Sequence, residues 1–298
     1  MVPSLMLLHE FFRTIYRPYH PQLSDGAAEL YLMAIRSLSQ YVGRPATIDD
    51  LSEEVLIAWI NWRLSHAAPK TVRRQRGELL ALWRFAYRRR VCSCPCGDIP
   101  VVVVRRPVPV AWSPEEVRAL VAAAATLPGH IRGTQIAQGD WWVSLLLFLY
   151  ATGARISAAL AVAPSHLDTA RGFVQLRPET AKTGMGQVLR LPQYVVDAVS
   201  RIYDPRASRV WVCPYHRHWL FGTLGRICRL AGLPADRGHK FHCLRRTHAT
   251  MVAAFGSLDL AQRDLGHTSP AMTWRYIDPR FLGGPTAADV LPPVTVTF

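Results

Sequence analysis

The chain has 298 residues, half of them hydrophobic, and a formal net charge of +14 with a pI near 10.1. That length accommodates two domains with separate cores, and no run of about 18 apolar residues is present to span a bilayer. An enzyme of small neutral substrates has no need of such a charge imbalance, whereas a partner with repeating phosphates does. The alternative is a merely solvated basic surface. Met1 to Leu8 carries neither the basic region nor the small-residue cleavage site of a secretion signal, so a cytoplasmic protein without membrane contact is expected.

The N-terminal part reads as helices. Leu5 to Tyr16 is a short amphipathic stretch, interrupted at Arg17 to Pro21, and Ser24 is placed to cap a helix reaching about Val42. Thr47 to Asp50 has capping-box spacing, with Asp in place of Glu, ahead of a helix carrying Val55, Ile57, Trp59, Ile60 and Leu64. Pro69 precedes a long helix from about Thr71 to Arg90. Val72, Leu79, Leu82, Trp83 and Ala86 form its apolar face. Arg73, Arg84 and Arg88 fall within an arc of roughly 60° on another face. Such a stripe suits a helix lying against DNA phosphates, and a solvated face fits the pattern equally well.

Val91 to Trp112, with its cysteines, prolines and four successive valines, reads as an extended linker. The expected division is a helical DNA-binding domain over 1–100, a linker over 101–112 and a second domain over 113–298. Ser113, Pro114 and Glu116 form a capping box with proline at the first helical position. The apolar run from Trp141 to Tyr150 predicts a buried helix. Thr152-Gly153 breaks the chain, and a new helix begins near Arg155. Phe173–Arg177 and Gln187–Leu191 read as a β-hairpin with Lys182, Gly184 and Gly186 in the turn. Helices resume at Tyr194. The expected fold is therefore mainly α with a small antiparallel β-sheet.

Six cysteines are present, at 92, 94, 96, 213, 228 and 243. None has paired Cys-x-x-Cys spacing, so reduced thiols are favoured over a zinc site. Lys70, Lys182 and Lys240 are the only lysines in a chain that otherwise uses arginine. An ammonium can give up its proton and a guanidinium cannot, which makes Lys182 a candidate general acid. Taken alone it is equally an exposed turn residue.

Arg155, Arg245, His242, His267 and Tyr276 together suit one task, the attack of a tyrosine on a phosphodiester. The phenol must lose a proton that ordinarily leaves near pH 10. The non-bridging oxygens gain charge, and the departing 5′ oxygen needs a proton. Two guanidiniums can clamp the phosphate with paired hydrogen bonds, each such donor contributing about 3 kcal/mol by analogy with an oxyanion hole. His242 and His267 can orient the phosphate and move the phenolic proton, and Lys182 can protonate the leaving oxygen. No acidic cluster offers a metal site, and no cofactor is called for. Each residue alone has an ordinary structural reading; their combination carries the inference.

The segments Thr152 to Ser157, His242 with Arg245, Leu265-Gly266-His267 and Thr273 with Tyr276 resemble the active-site boxes of the tyrosine recombinase (phage integrase) family. Lys182 matches that family's hairpin lysine, and the N-terminal half resembles its core-binding domain. The resemblance implies a two-domain DNA clamp and a 3′-phosphotyrosyl intermediate formed by Tyr276, reversed by a 5′ hydroxyl of another strand. It also implies double-stranded DNA as partner, a homotetramer on two DNA sites and accessory directionality proteins. The short segment before the first helix resembles members that bind core sites alone. The family usually carries an acidic residue three positions after the first arginine, where this chain has Ala158. A non-catalytic DNA-binding relative, a type IB topoisomerase and a basic scaffolding protein are the competing readings.

Overall fold

The computed structural model describes residues 6–95, 98–105, 107–177, 186–236 and 238–283. The expected hairpin turn with Lys182 and Gly184 lies outside them, as does the tail from Leu291 to Phe298. The chain divides into two compact units, residues 1–107 and 108–298.

The first unit is helical. α1 (Leu8–Glu10) continues into a wider turn of π type over Phe11–Tyr16. It is followed by α2 (Asp25–Val42), α3 (Glu53–His66) and α4 (Pro69–Arg88). Ser24 caps α2, its hydroxyl accepting from the Ala27 amide at 3.3 Å. The box at Thr47 does not open the following helix. It closes a single 3-10 turn, Ile48–Asp50, in which the Asp50 carboxylate accepts from the Thr47 amide at 2.7 Å. Leu51 leaves helical geometry at ψ 67, and α3 starts afresh with Ser52 as its cap.

Phe11, Phe12, Ile35, Leu38, Trp59, Leu79 and Trp83 form the centre of this unit. Fully burying side chains of this size contributes about 1.5–3 kcal/mol each. α4 buries Val72, Leu79, Leu82, Trp83 and Ala86. Pro69 occupies its first turn, where the missing amide hydrogen costs nothing. Along the chain between the two units, the described residues of 91–112 form neither helix nor strand. Ile99 and Val102 are nonetheless buried in the first core and Trp112 in the second.

The second unit opens with α5 (Pro114–Ala125), whose Ser113–Glu116 capping box is formed in both directions. α6 (Gln138–Thr152) is apolar on nearly every side, as a central helix must be. α7 (Ile156–Leu160) is short, and a three-stranded antiparallel sheet follows it. β1 (Leu167–Asp168) pairs with β2 (Phe173–Leu176), which pairs with β3 (Gln187–Arg190) in the register Phe173 to Arg190 and Leu176 to Gln187. Val174 and Leu176 face the core. The remaining helices are α8 (Gln193–Ser200), α9 (Arg217–Leu230), α10 (Phe241–Phe255), α11 (Leu258–Leu265) and α12 (Pro270–Trp274).

α10 packs against both α6 and α11. Trp141, Trp142, Phe148, Trp211 and Leu244 lie within the main core, with the thiols of Cys228 and Cys243 beside them. The sheet is tied to α11 through Gln187, whose side-chain amide donates to the carbonyls of Arg263 and Asp264 at 2.9 and 3.2 Å. Among the described residues, no helix is long and apolar enough to cross a membrane.

Candidate active site

The first arginine stands where α6 stops. Thr152 ends the helix, Gly153 adopts φ +60, and Arg155 becomes the residue just before α7. A side chain at 153 is ruled out twice over. The left-handed backbone disfavours it, and a Cβ would lie 2.5 Å from Cδ2 of His248 and 2.9 Å from Cδ2 of Leu265. The close approach brings the Gly153 carbonyl onto α10.

Arg245 of α10 receives it. The Arg245 side chain is almost fully buried. Nη1 donates to the Gly153 carbonyl at 2.5 Å, and Nη2 donates to the Leu265 carbonyl at 2.8 Å. Two backbone carbonyls thus orient the guanidinium without neutralising it. Burial pushes its pKa down to about 10, and the charge of Arg155 pushes the same way, while interaction with the Tyr276 side chain opposes both. The group stays cationic at neutral pH, so the site presents two adjacent positive charges, an arrangement that favours an anion between them.

His267 follows directly on α11, where Gly266 turns the chain back at φ +61. Its Nε2 lies 3.3 Å from Arg245 Nη2 and its Nδ1 lies 3.1 Å from Thr273 Oγ1. A guanidinium only donates, so Nε2 accepts and Nδ1 carries the hydrogen given to Thr273. Burial holds the imidazole down to about 4, helped by Arg245 and Arg155. His267 is therefore neutral at physiological pH and offers a lone pair toward the arginine.

Tyr276 comes just after α12 and is half-buried. Its ring centre is 5.4 Å from the guanidinium carbon of Arg245 and 5.0 Å from the His267 ring. The exposed His242, near the start of α10, meets the same phenol edge-on at 6.5 Å. The structure thus gathers Arg155, Arg245, His242, His267 and Tyr276 from four separate segments of one chain. Lys182 lies outside the described residues. Ala158 is buried and lines a small cleft with His166, Gln175 and Arg177.

Several polar residues behind the site escaped the sequence reading. His248 sits under Gly153, with Nδ1 2.9 Å from the Tyr150 carbonyl and Nε2 3.7 Å from an Asp264 oxygen. Thr247, Thr250, Thr273 and Asp278 are all buried and hydrogen-bonded. The available signal was the run Thr247-His248-Ala249-Thr250, which extends the polar stretch of His242, Arg245 and Arg246 along the same helix. In the first unit Arg73, Arg84 and Arg88 are exposed on α4. Arg76 lies between them and donates to the Ile99 carbonyl at 2.6 Å. Burial lowers its pKa, as do the charges of Arg84 and Arg73.

The sequence model of the phage integrase family matches residues 112–282. The chain belongs to that family. Its described residues are mainly helical with a small three-stranded antiparallel sheet. A Pseudomonas aeruginosa protein assigned as the tyrosine recombinase XerC is 22% identical over 193 residues, 60% of this chain. The match spans only 44% of that relative's length. Among solved structures, a dimer of lambda integrase (residues 75–356) bound to a COC′ core site has a TM-score of 0.73 at 17% identity, covering 94% of this chain and 99% of that one. The Tn1549 transposon integrase, in complex with a circular intermediate DNA, has a TM-score of 0.70 at 16% identity, covering 95% and 97%. At these identities the likeness is one of fold.

Proposed function

We propose that this tyrosine recombinase cleaves and rejoins DNA strands at specific sites through a covalent intermediate on Tyr276. The single observation that carries the reading is the placement of the Tyr276 ring 5.4 Å from the buried guanidinium of Arg245 and 5.0 Å from His267. Arg155 and Arg245 hold the non-bridging oxygens of the scissile phosphate. The phenolic oxygen attacks phosphorus, forming a 3′-phosphotyrosyl bond while the bond to the 5′ oxygen breaks. His242, edge-on to the phenol, serves as proton acceptor, while His267, its Nε2 accepting from Arg245 and its Nδ1 donating to Thr273, holds the phosphate-binding guanidinium in place. Lys182 gives its proton to the departing 5′ oxygen. The intermediate retains the bond energy, so a 5′ hydroxyl of a second strand reverses the step without ATP.

Double-stranded DNA is the partner, held through phosphates by Arg73, Arg84 and Arg88 of a core-binding domain in residues 1–100. The catalytic domain spans 113–298. A homotetramer on two DNA sites performs the exchange in the cytoplasm, with accessory proteins setting direction. The DNA complexes of the lambda and Tn1549 integrases, folds similar to this one, support that partner.

The test begins by sequencing DNA recovered covalently attached to the protein from expressing cells. Two duplexes of unequal length carrying the recovered site are then incubated with the purified chain. Recombinant products of new length are expected. Relaxation of a supercoiled plasmid without recombinants would identify a topoisomerase instead, and binding without any cleavage a non-catalytic relative.

A further inference from the structure

The backbone of Tyr276 is tethered on both sides. Three residues upstream, Thr273 holds His267 at 3.1 Å. Two residues downstream, Asp278 is completely buried. Its Oδ2 accepts from the backbone amide of Ala111 at 2.9 Å, across 167 positions of sequence. Its own amide donates to Thr250 Oγ1 at 2.9 Å, and that hydroxyl donates to the Tyr276 carbonyl at 3.4 Å. The neighbouring Trp112 amide donates to Thr247 Oγ1 at 2.9 Å, so the start of the second unit and α10 are joined at the same place.

A carboxylate with no exposure is costly unless its lone pairs are used. Here Arg280 supplies the remaining donors: its amide at 3.1 Å, its Nε at 3.0 Å from Oδ1, and its Nη2 at 2.6 Å from Oδ2. The Arg280 side chain is itself exposed. The arginine therefore neutralises the charge from the solvent side, while Oδ2, shared between Arg280 and Ala111, also reaches inward to the backbone. A plain surface ion pair would not need that inward bond. The bond fixes the end of the segment that bears the phenol.

We propose that Asp278 is the positioning residue of the nucleophile, pinning the Tyr276 segment to Ala111 and to Thr250 of α10 so that the phenol is held over Arg245. The inference rests on Tyr276 being the nucleophile. Asp278 is completely buried and acts through two residues of backbone. Misplacing a reacting group by about 1 Å costs on the order of 100-fold in rate, which sets the scale expected when the anchor is removed.

Single-turnover cleavage of a nicked duplex carrying the cognate site is measured for the native chain, Asp278→Ala, Asp278→Asn and Thr250→Val. Adduct formation should fall on the order of 100-fold in Asp278→Ala. Asp278→Asn keeps an acceptor for Ala111 and should lose far less. Thr250→Val, which leaves the carboxylate in place, should fall between them. The same substitutions are then placed in a Tyr276→Phe background and supplied with hydrogen peroxide. Hydroperoxide attacks the phosphorus directly, breaking the bond to the 5′ oxygen, which takes up a proton. A positioning role leaves this peroxide-driven cleavage at the rate of Tyr276→Phe alone.

Equal losses in the tyrosyl and peroxide reactions would overturn the proposal in favour of general support of the fold or phosphate site. Native adduct rates in Asp278→Ala would overturn it while leaving Tyr276 as nucleophile. No adduct from the native chain would overturn the nucleophile assignment, and this inference with it.

Discussion

Two buried imidazoles set an acid limit on the catalytic unit. His248 and His267 are both held down to about 4 from an ordinary 6.5. Burial is the main cause in each; Arg245 adds to it, opposed at His248 by the Tyr150 carbonyl and reinforced at His267 by Arg155. The unfolded chain takes up a proton on each near pH 6.5, whereas the native state does not do so until about pH 4. The stabilisation is therefore complete above 6.5 and is lost as pH falls from 6.5 to 4. One proton of difference is about 1.4 kcal/mol per pH unit, so each histidine removes roughly 3 kcal/mol across the window. Together they approach the whole stability of an ordinary domain, about 5–15 kcal/mol. Asp264 works the other way, because burial raises its carboxyl and the native state takes up that proton earlier than the unfolded chain.

Replacing His248 by Asn keeps a donor for the Tyr150 carbonyl and removes one titrating ring. Urea unfolding is followed by tryptophan fluorescence between pH 6 and 4.5. Over that range the stability of the His248→Asn variant should fall less steeply than that of the native chain, by up to about 1.4 kcal/mol per pH unit. Equal slopes in the two proteins would refute a neutral His248 in the native state.

Three further outcomes are expected. Lys182→Ala should slow cleavage of an ordinary duplex, and a 5′-bridging sulfur, a leaving group that needs no proton, should restore much of the rate; an equal deficit on both substrates removes Lys182 as the acid. Gly153→Ala should destabilise by more than the ~1–2 kcal/mol of a left-handed alanine, because the added methyl also meets His248 and Leu265, and urea unfolding reads this directly. Changing Arg73, Arg84 or Arg88 to Ala should each lower the slope of log affinity against log salt by about 1 for a true phosphate contact, and an unchanged slope excludes that contact.

The readable parts of this chain were those with local causes. Ser24 and the Ser113–Glu116 box announce their helices because the cap and its donors lie within three residues. α4 is legible from its 3.6-residue spacing of Val72, Leu79, Leu82 and Ala86, and the β2–β3 pair from two short β-rich runs around a glycine-containing turn. The Thr47 box misled because the same short-range bonds also close a lone 3-10 turn, and only the geometry of Leu51 decides between them. β1 is two residues long and too short for any periodicity.

At the site, Arg155, Arg245, His267 and Tyr276 were recognisable because their chemistry is unusual in combination. Their supports were not. The bond from Ala111 to Asp278 joins ends of the unit far apart in sequence, and the contact of His248 with Gly153 depends on how α6 crosses α10. Neither leaves a trace in residue spacing.

In the proposed reaction the Tyr276 oxygen becomes bonded to DNA. A duplex carrying the recovered cognate site and a nick that lets the 5′ end diffuse away traps the intermediate for proteolysis and mass spectrometry. A nucleotide joined through its 3′ phosphate to the peptide containing Tyr276 is expected, and none in Tyr276→Phe. A 3′-phosphoryl adduct on any other side chain, or an undiminished adduct in Tyr276→Phe, would contradict it.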